Sequence, residues 1–263
     1  MTNQARRRIT VVLHDKPQSR QLLEIGASIA SLLKAELEGV FVEDAALFRL
    51  TGLPFLRELK RDSRTEERLD ATRLAQEWRA MARLAREALE NSAQRAGLPW
   101  SFRVWRGELD RELLDLALES EMLLLGRLSG TIPWRLRQKA AAESDESQGH
   151  PLKIGVILDG GGDAERLQTT ITELGKEPGI QLILFLLPGE AAQGEQPTPL
   201  QAADPRHHNI ILHLNDREPA TLALQLKAAA CDLLMISENS ALLQGEDMSR
   251  RLKALPFPLV VVR

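Results

Sequence analysis

The residues that could do chemistry are few, and most stand at the ends of short apolar runs. Asp159 closes the run Lys153-Ile-Gly-Val-Ile-Leu158 and is followed by Gly160-Gly161-Gly162. A carboxylate there can cap the next helix or hold a polar ligand. No Gly-Lys-Ser/Thr follows, and Gly-x-Gly-x-x-Gly is absent, so neither a P-loop nor a dinucleotide fingerprint is present. Gly126-Arg-Leu-Ser-Gly130-Thr131 follows the apolar Met122–Leu125, and Ser129 or Thr131 could cap a helix there. His207, His208, His213 and Cys231 are ligand types, but adjacent histidines on an extended segment face opposite ways. Neither Cys-x-x-Cys nor His-Glu-x-x-His spacing occurs, so no metal is expected. Cys231, before an apolar run, reads as an inert small hydrophobe. With no Gly-x-Ser-x-Gly elbow and no legible pairing of nucleophile and base, catalysis is not expected.

The elements that must position these residues alternate in type. Ile9–Leu13 is a β-branched run that stops at Lys16-Pro17. Leu22, Leu23, Ile25, Ile29, Leu32 and Leu33 then recur at helical spacing, with Ser19 as N-cap. Leu37–Val42 is a second strand closing on Glu43-Asp44. A long amphipathic helix is expected from Glu66 to Ala96, striped by Leu69, Leu74, Trp78, Met81, Ala85 and Leu89 and stopped by Gly97 and Pro99. Trp100–Trp105 alternates as a strand, Asp110–Leu118 is a short helix, and Met122–Leu125 is a fourth strand. The tryptophans fall on these apolar stripes and are expected in the core.

Residues 140–150 are polar and turn-rich, the best linker in the chain. After them the pattern restarts. Lys153–Leu158, Ile180–Leu187, His208–Leu214, Asp232–Ser237 and Phe257–Val262 read as strands, with helices at Asp163–Leu174, Pro219–Ala230 and Met248–Leu255. Pro188–Pro205 is loop, with no counterpart of the long helix. The expected fold class is α/β, with two tandem Rossmann-like domains, 1–146 and 150–263, mostly parallel sheets, and the second domain reduced.

Composition removes several classes. A hydrophobic fraction of 43% against 27% charged residues excludes wholesale disorder. A net charge of −3 gives no pull toward nucleic acid or an anionic membrane, so neither is expected as a partner. The single cysteine allows no internal disulfide. Ile9–Leu13 is too short for a signal-peptide core or a membrane span, so a cytoplasmic address is expected.

The run Leu37-Glu-Gly-Val-Phe-Val-Glu-Asp44, the strand Asp232-Leu-Leu-Met-Ile and the ending Pro256-Phe-Pro-Leu-Val-Val-Val-Arg263, with the order of elements, resemble the universal stress protein family over nearly the whole chain. The resemblance implies an adenine nucleotide alpha hydrolase-like sheet, homodimerisation or an intramolecular pseudo-dimer, and, in one branch, ATP at the carboxyl ends of the strands. The family's acidic residue at the end of the first strand falls on His14, with Asp15 beside it, in the first half and on Asp159 in the second. Its glycine loop falls on Gly126, Ser129, Gly130 and Thr131, one residue longer between glycines than the family pattern, with Ala140 in place of the third glycine. In the second half Ile236-Ser-Glu-Asn-Ser-Ala241 carries no glycine. The resemblance thus implies a regulatory, stress-associated protein without enzymatic activity. It binds ATP or another adenine nucleotide near His14, Val42 and Gly126–Thr131, or else binds no cofactor and works through protein contacts.

Two points stay open in the sequence. Ala46-Leu-Phe-Arg-Leu50 and Leu53-Pro-Phe-Leu56 make residues 45–64 either short helices over their own sheet or a lid or partner surface. The first half also lacks a fifth strand, so another segment or a second subunit is expected to cover the free edge of Met122–Leu125.

Overall fold

Residues 7–13, 19–51, 53, 57–59, 66–68, 70–107, 120–126, 152–159, 164–177, 179–187, 210–213, 219–245, 255 and 257–263 are described by a computed structural model. Contacts divide the chain into Met1–Glu121 and Met122–Arg263. The linker expected at 140–150 and the helices expected at Asp110–Leu118 and Met248–Leu255 fall outside the described residues, apart from Leu255.

In the first unit, β1 (Arg8–Leu13), β2 (Glu36–Asp44) and β5 (Trp100–Gly107) form a parallel array with β2 in the middle. The intervening elements are α1 (Ser19–Leu32), α2 (Ala45–Leu50), a hairpin of β3 (Arg57–Leu59) and β4 (Glu66–Arg68), and α3 (Ala71–Ala96). The long helix starts five residues later than its periodicity suggested, and Glu66–Arg68 is strand. The reason is local. Asp70 has extended backbone, φ −106° and ψ 123°, and its carboxylate accepts from the Thr72 amide at 2.9 Å, a strong N-cap. The other end stops where the sequence placed it. Gly97 takes φ +64°, and the Leu98 amide donates back to the Ala93 carbonyl at 2.9 Å.

Helices α1 and α3 pack on each other, and both reach the sheet. Leu89 of α3 comes so close to β2 that a Cβ on Gly39 would lie 2.8 Å from it. The face carrying Ile9, Val11, Leu37, Gly39 and Phe41 is therefore the helix-covered one, since in-register residues of parallel strands share a side. The other face carries polar side chains among its valines. Glu38, buried in β2, accepts from the Thr10 hydroxyl at 2.8 Å and pairs with Arg103 at 3.2 Å, while Ser101 donates to Glu36 at 2.8 Å. Each buried oxygen named here has a donor, the condition under which burying a carboxylate is tolerated.

In the second unit the strands are β6 (Met122–Leu125), β7 (Leu152–Leu158), β8 (Ile180–Leu186), β9 (Ile210–His213), β10 (Leu233–Ser237) and β11 (Leu259–Val262). Their order is β6-β11-β10-β7-β8-β9, parallel from β11 to β9. The helices are α4 (Ala164–Leu174) and α5 (Pro219–Ala228). The expected covering of the Met122–Leu125 edge is there: β11 runs antiparallel to β6, with Leu125 opposite Leu259 and Met122 opposite Val262. Because of this pairing, β6 groups with the second unit rather than with the first half. At the centre of the sheet Gly155 is needed for close packing. A Cβ there would meet Leu234 at 2.8 Å and both Cys231 and Phe185 at 2.9 Å.

Candidate functional site

In an open parallel sheet, ligands sit at the carboxyl ends of the strands where successive connections diverge. The second unit has such a point. From β7 the chain moves to β8 and β9 on one side, then returns to β10 on the other side of β7. Asp159 directly follows β7, and Glu238–Gly245 follows β10. These two segments meet. Asp159 Oδ2 accepts from the Ser240 hydroxyl at 2.6 Å and from the Ala241 amide at 2.7 Å. Ser240 in turn caps the 3₁₀ turn Ala241–Leu243, accepting from the Leu242 amide at 3.3 Å. Asp159 and Ser240 are both buried. Sequence offered Asp159 as a cap for the next helix or a holder of a polar ligand; its Oδ2 bonds the turn after β10.

In the first unit, Val42 is buried near the carboxyl end of β2. Beside it on β2, Glu43 is buried and accepts from both Nε and an Nη of Arg106, at 2.9 and 2.7 Å. The Arg106 guanidinium lies 4.9 Å from the centre of the Phe48 ring, and Phe48 packs against Trp78 of α3 at 6.0 Å. Asp44 Oδ1 accepts from the Leu47 amide at the start of α2. These contacts fold Ala45–Leu50 onto its own unit as one short helix, with Phe48 directed inward. Leu47, Leu50 and Leu53 remain exposed, so the segment keeps an apolar outer stripe as well.

Of the other residues singled out by sequence, Gly126 directly follows β6 in the second unit and is half-buried. His14, Asp15, Ser129, Gly130 and Thr131 lie outside the described residues, as do His207 and His208. Among the described residues no three His, Cys, Asp or Glu side chains come together to hold a metal ion. No described helix is long and apolar enough to cross a membrane.

Sequence reading overlooked Arg106. The signal was present: β5's alternation, carried past Trp105, puts Arg106 on the Phe102 face, and Glu43 shares the Phe41 face. What was missing was the register that sets Glu43 opposite Arg106.

Cys231 is buried beside Gly155 and Phe185, and burial, with the nearby Asp232 carboxylate, pushes its thiol up to about 11. Since the thiolate is the reactive form, only about one part in a thousand is reactive at pH 8. The native protein is expected to consume no thiol reagent over minutes at that pH and one equivalent once unfolded in guanidinium. Rapid labelling of the native chain would contradict this environment.

No protein-family model and no curated protein matches this chain. Solved structures do. The chain is similar to a universal stress protein from Archaeoglobus fulgidus DSM 4304 at 13% identity and a TM-score of 0.51, over 97% of this chain and 96% of that one. It also matches a candidate universal stress protein from Pseudomonas aeruginosa UCBPP-PA14 (13% identity, TM-score 0.43, 98% and 94% covered). A third match is a protein of the universal stress protein family from Burkholderia pseudomallei (12%, 0.28, 82% and 100%). The overlap with the Archaeoglobus protein is close enough to define a shared fold. The chain therefore has a Rossmann-like α/β fold of the universal stress protein kind, and at this identity the likeness concerns the fold alone.

Proposed function

We propose that this is a universal stress protein-like regulatory binding protein rather than an enzyme, acting in the cytoplasm and able to dimerise. In this reading it takes an adenine nucleotide in its first unit, through the segments around His14, Asp15 and Val42. The observation that carries the reading is the fold shared with the Archaeoglobus protein over nearly the full length of both chains. General physics supports the location, because parallel α/β sheets gather ligands at the carboxyl ends of their strands, where Val42 stands.

Titration calorimetry and thermal melting with ATP, ADP and AMP, each with Mg²⁺, test it. A ligand at a hundred times its dissociation constant stabilises the native state by about 2.7 kcal/mol, which shows as a raised melting temperature. Asp15→Ala should abolish the shift while leaving the unliganded melt in place. No heat and no stabilisation at millimolar nucleotide would remove the nucleotide from the reading.

A further inference from the structure

We infer that the crevice of the second unit is shut by the chain itself, with the Asp159 carboxylate acting as an internal ligand that latches the turn after β10. The crevice lies where β7 and β10 are neighbours and their connections part, the position at which sheets of this topology bind ligands. Donors that would face an incoming anion are the backbone amides and hydroxyls of the turn after β10. Here one hydroxyl and one amide, those of Ser240 and Ala241, already point at a carboxylate from across the crevice, at 2.6 and 2.7 Å. Both distances fall in the short range of charge-assisted bonds.

The rest of the turn is likewise engaged within the unit. Glu238 N–H donates to the Val262 carbonyl of β11, Ser240 N–H to Ser237, and Leu243 N–H to Ser240. The Asn239 amide donates to the Ser237 hydroxyl at 3.3 Å, and the Gln244 side chain donates to the Asn239 carbonyl at 3.1 Å. Leu242 and Leu243 are buried, which seats the turn from its far side. An anionic ligand entering here would have to displace a carboxylate tethered by β7. It would also meet that like charge in a buried setting, where repulsion is strong. The inference stands apart from the nucleotide reading of the first half. Where that reading holds, it limits the chain to one nucleotide rather than two.

Hydrogen exchange of the full-length protein, followed by mass spectrometry, tests the latch. Asp159→Ala should speed exchange of peptides spanning 237–245 by about tenfold or more, while β7 and β10 stay protected. Asp159→Asn, which keeps the shape and one acceptor oxygen, should give a smaller increase and serves if the alanine variant does not fold. Adding ATP or inorganic phosphate to the wild type should leave 237–245 unchanged. Added protection there from either ligand, or no response of the turn to both substitutions, would overturn the latch. Ligand protection absent from every peptide would count against the nucleotide reading, and the response of the turn to Asp159→Ala would still decide the latch.

Discussion

Deleting Phe257–Arg263 is expected to abolish cooperative folding of the second unit, not merely to lower its melting temperature. The deleted piece contains β11, whose four residues are 4%, 1%, 1% and 1% exposed. Burying one Leu and three Val side chains contributes about 6–12 kcal/mol at the usual value per side chain. A whole domain is stable by roughly 5–15 kcal/mol, so the loss is comparable to everything the unit has. The strand is also not at the rim. It bonds to β10 on one side and β6 on the other, so removal bares two sheet edges at once. The expected result is loss of one thermal transition by circular dichroism, with rapid proteolysis of 122–256. A truncated chain that keeps a cooperative melt and its protection over β7 and β10 would contradict the central place of β11.

The second large effect concerns the seam between α3 and β2. Leu89 is fully buried against the sheet, and Leu84, on the same helix, is 65% exposed. Leu89→Ala should cost about 2–5 kcal/mol by transfer and cavity terms together. Leu84→Ala should stay within about 0.5 kcal/mol of wild type. Gly39→Ala attacks the same seam from the strand, because its new Cβ would lie 2.8 Å from Leu89, 3.2 Å from Leu13 and 3.3 Å from Phe102. Overpacking of that kind costs about 1–3 kcal/mol. The two changes relieve each other in part, so the double variant should be more stable than the sum of the singles by about 0.5–3 kcal/mol. Urea denaturation of the four proteins checks the cycle. Strict additivity would mean that Leu89 and Gly39 do not share one tight contact.

Much of the framework was legible because periodicity reports directly on burial. The fully buried runs Met122–Leu125 and Leu233–Ser237 announced strands of a two-sided parallel sheet, and Gly97 announced the end of α3. The start of α3 was misjudged because helical spacing runs on through Glu66–Arg68, whereas the cap at Asp70 decides where the helix begins. The candidate site was harder to read. Asp159 was visible as an acid after a strand, but its partners stand some eighty residues away in sequence, and nothing local names Ser240. The same holds for Glu43 and Arg106, joined only by strand register. Local pattern encodes which side chains are buried; pairing across the sheet encodes what each polar one touches.

The antiparallel union of β6 with β11 has a consequence for the making of the protein. On the ribosome, Met122–Leu125 emerges long before Leu259–Val262 exists. At ordinary rates of synthesis the delay is on the order of ten seconds. During that interval a fully apolar strand faces the cell without this partner, and the loop that must close is among the longest the fold contains. Contacts of such separation form late and slowly, which leaves time for wrong pairings. The nascent chain is therefore expected to lean on a holding chaperone between the appearance of these two strands.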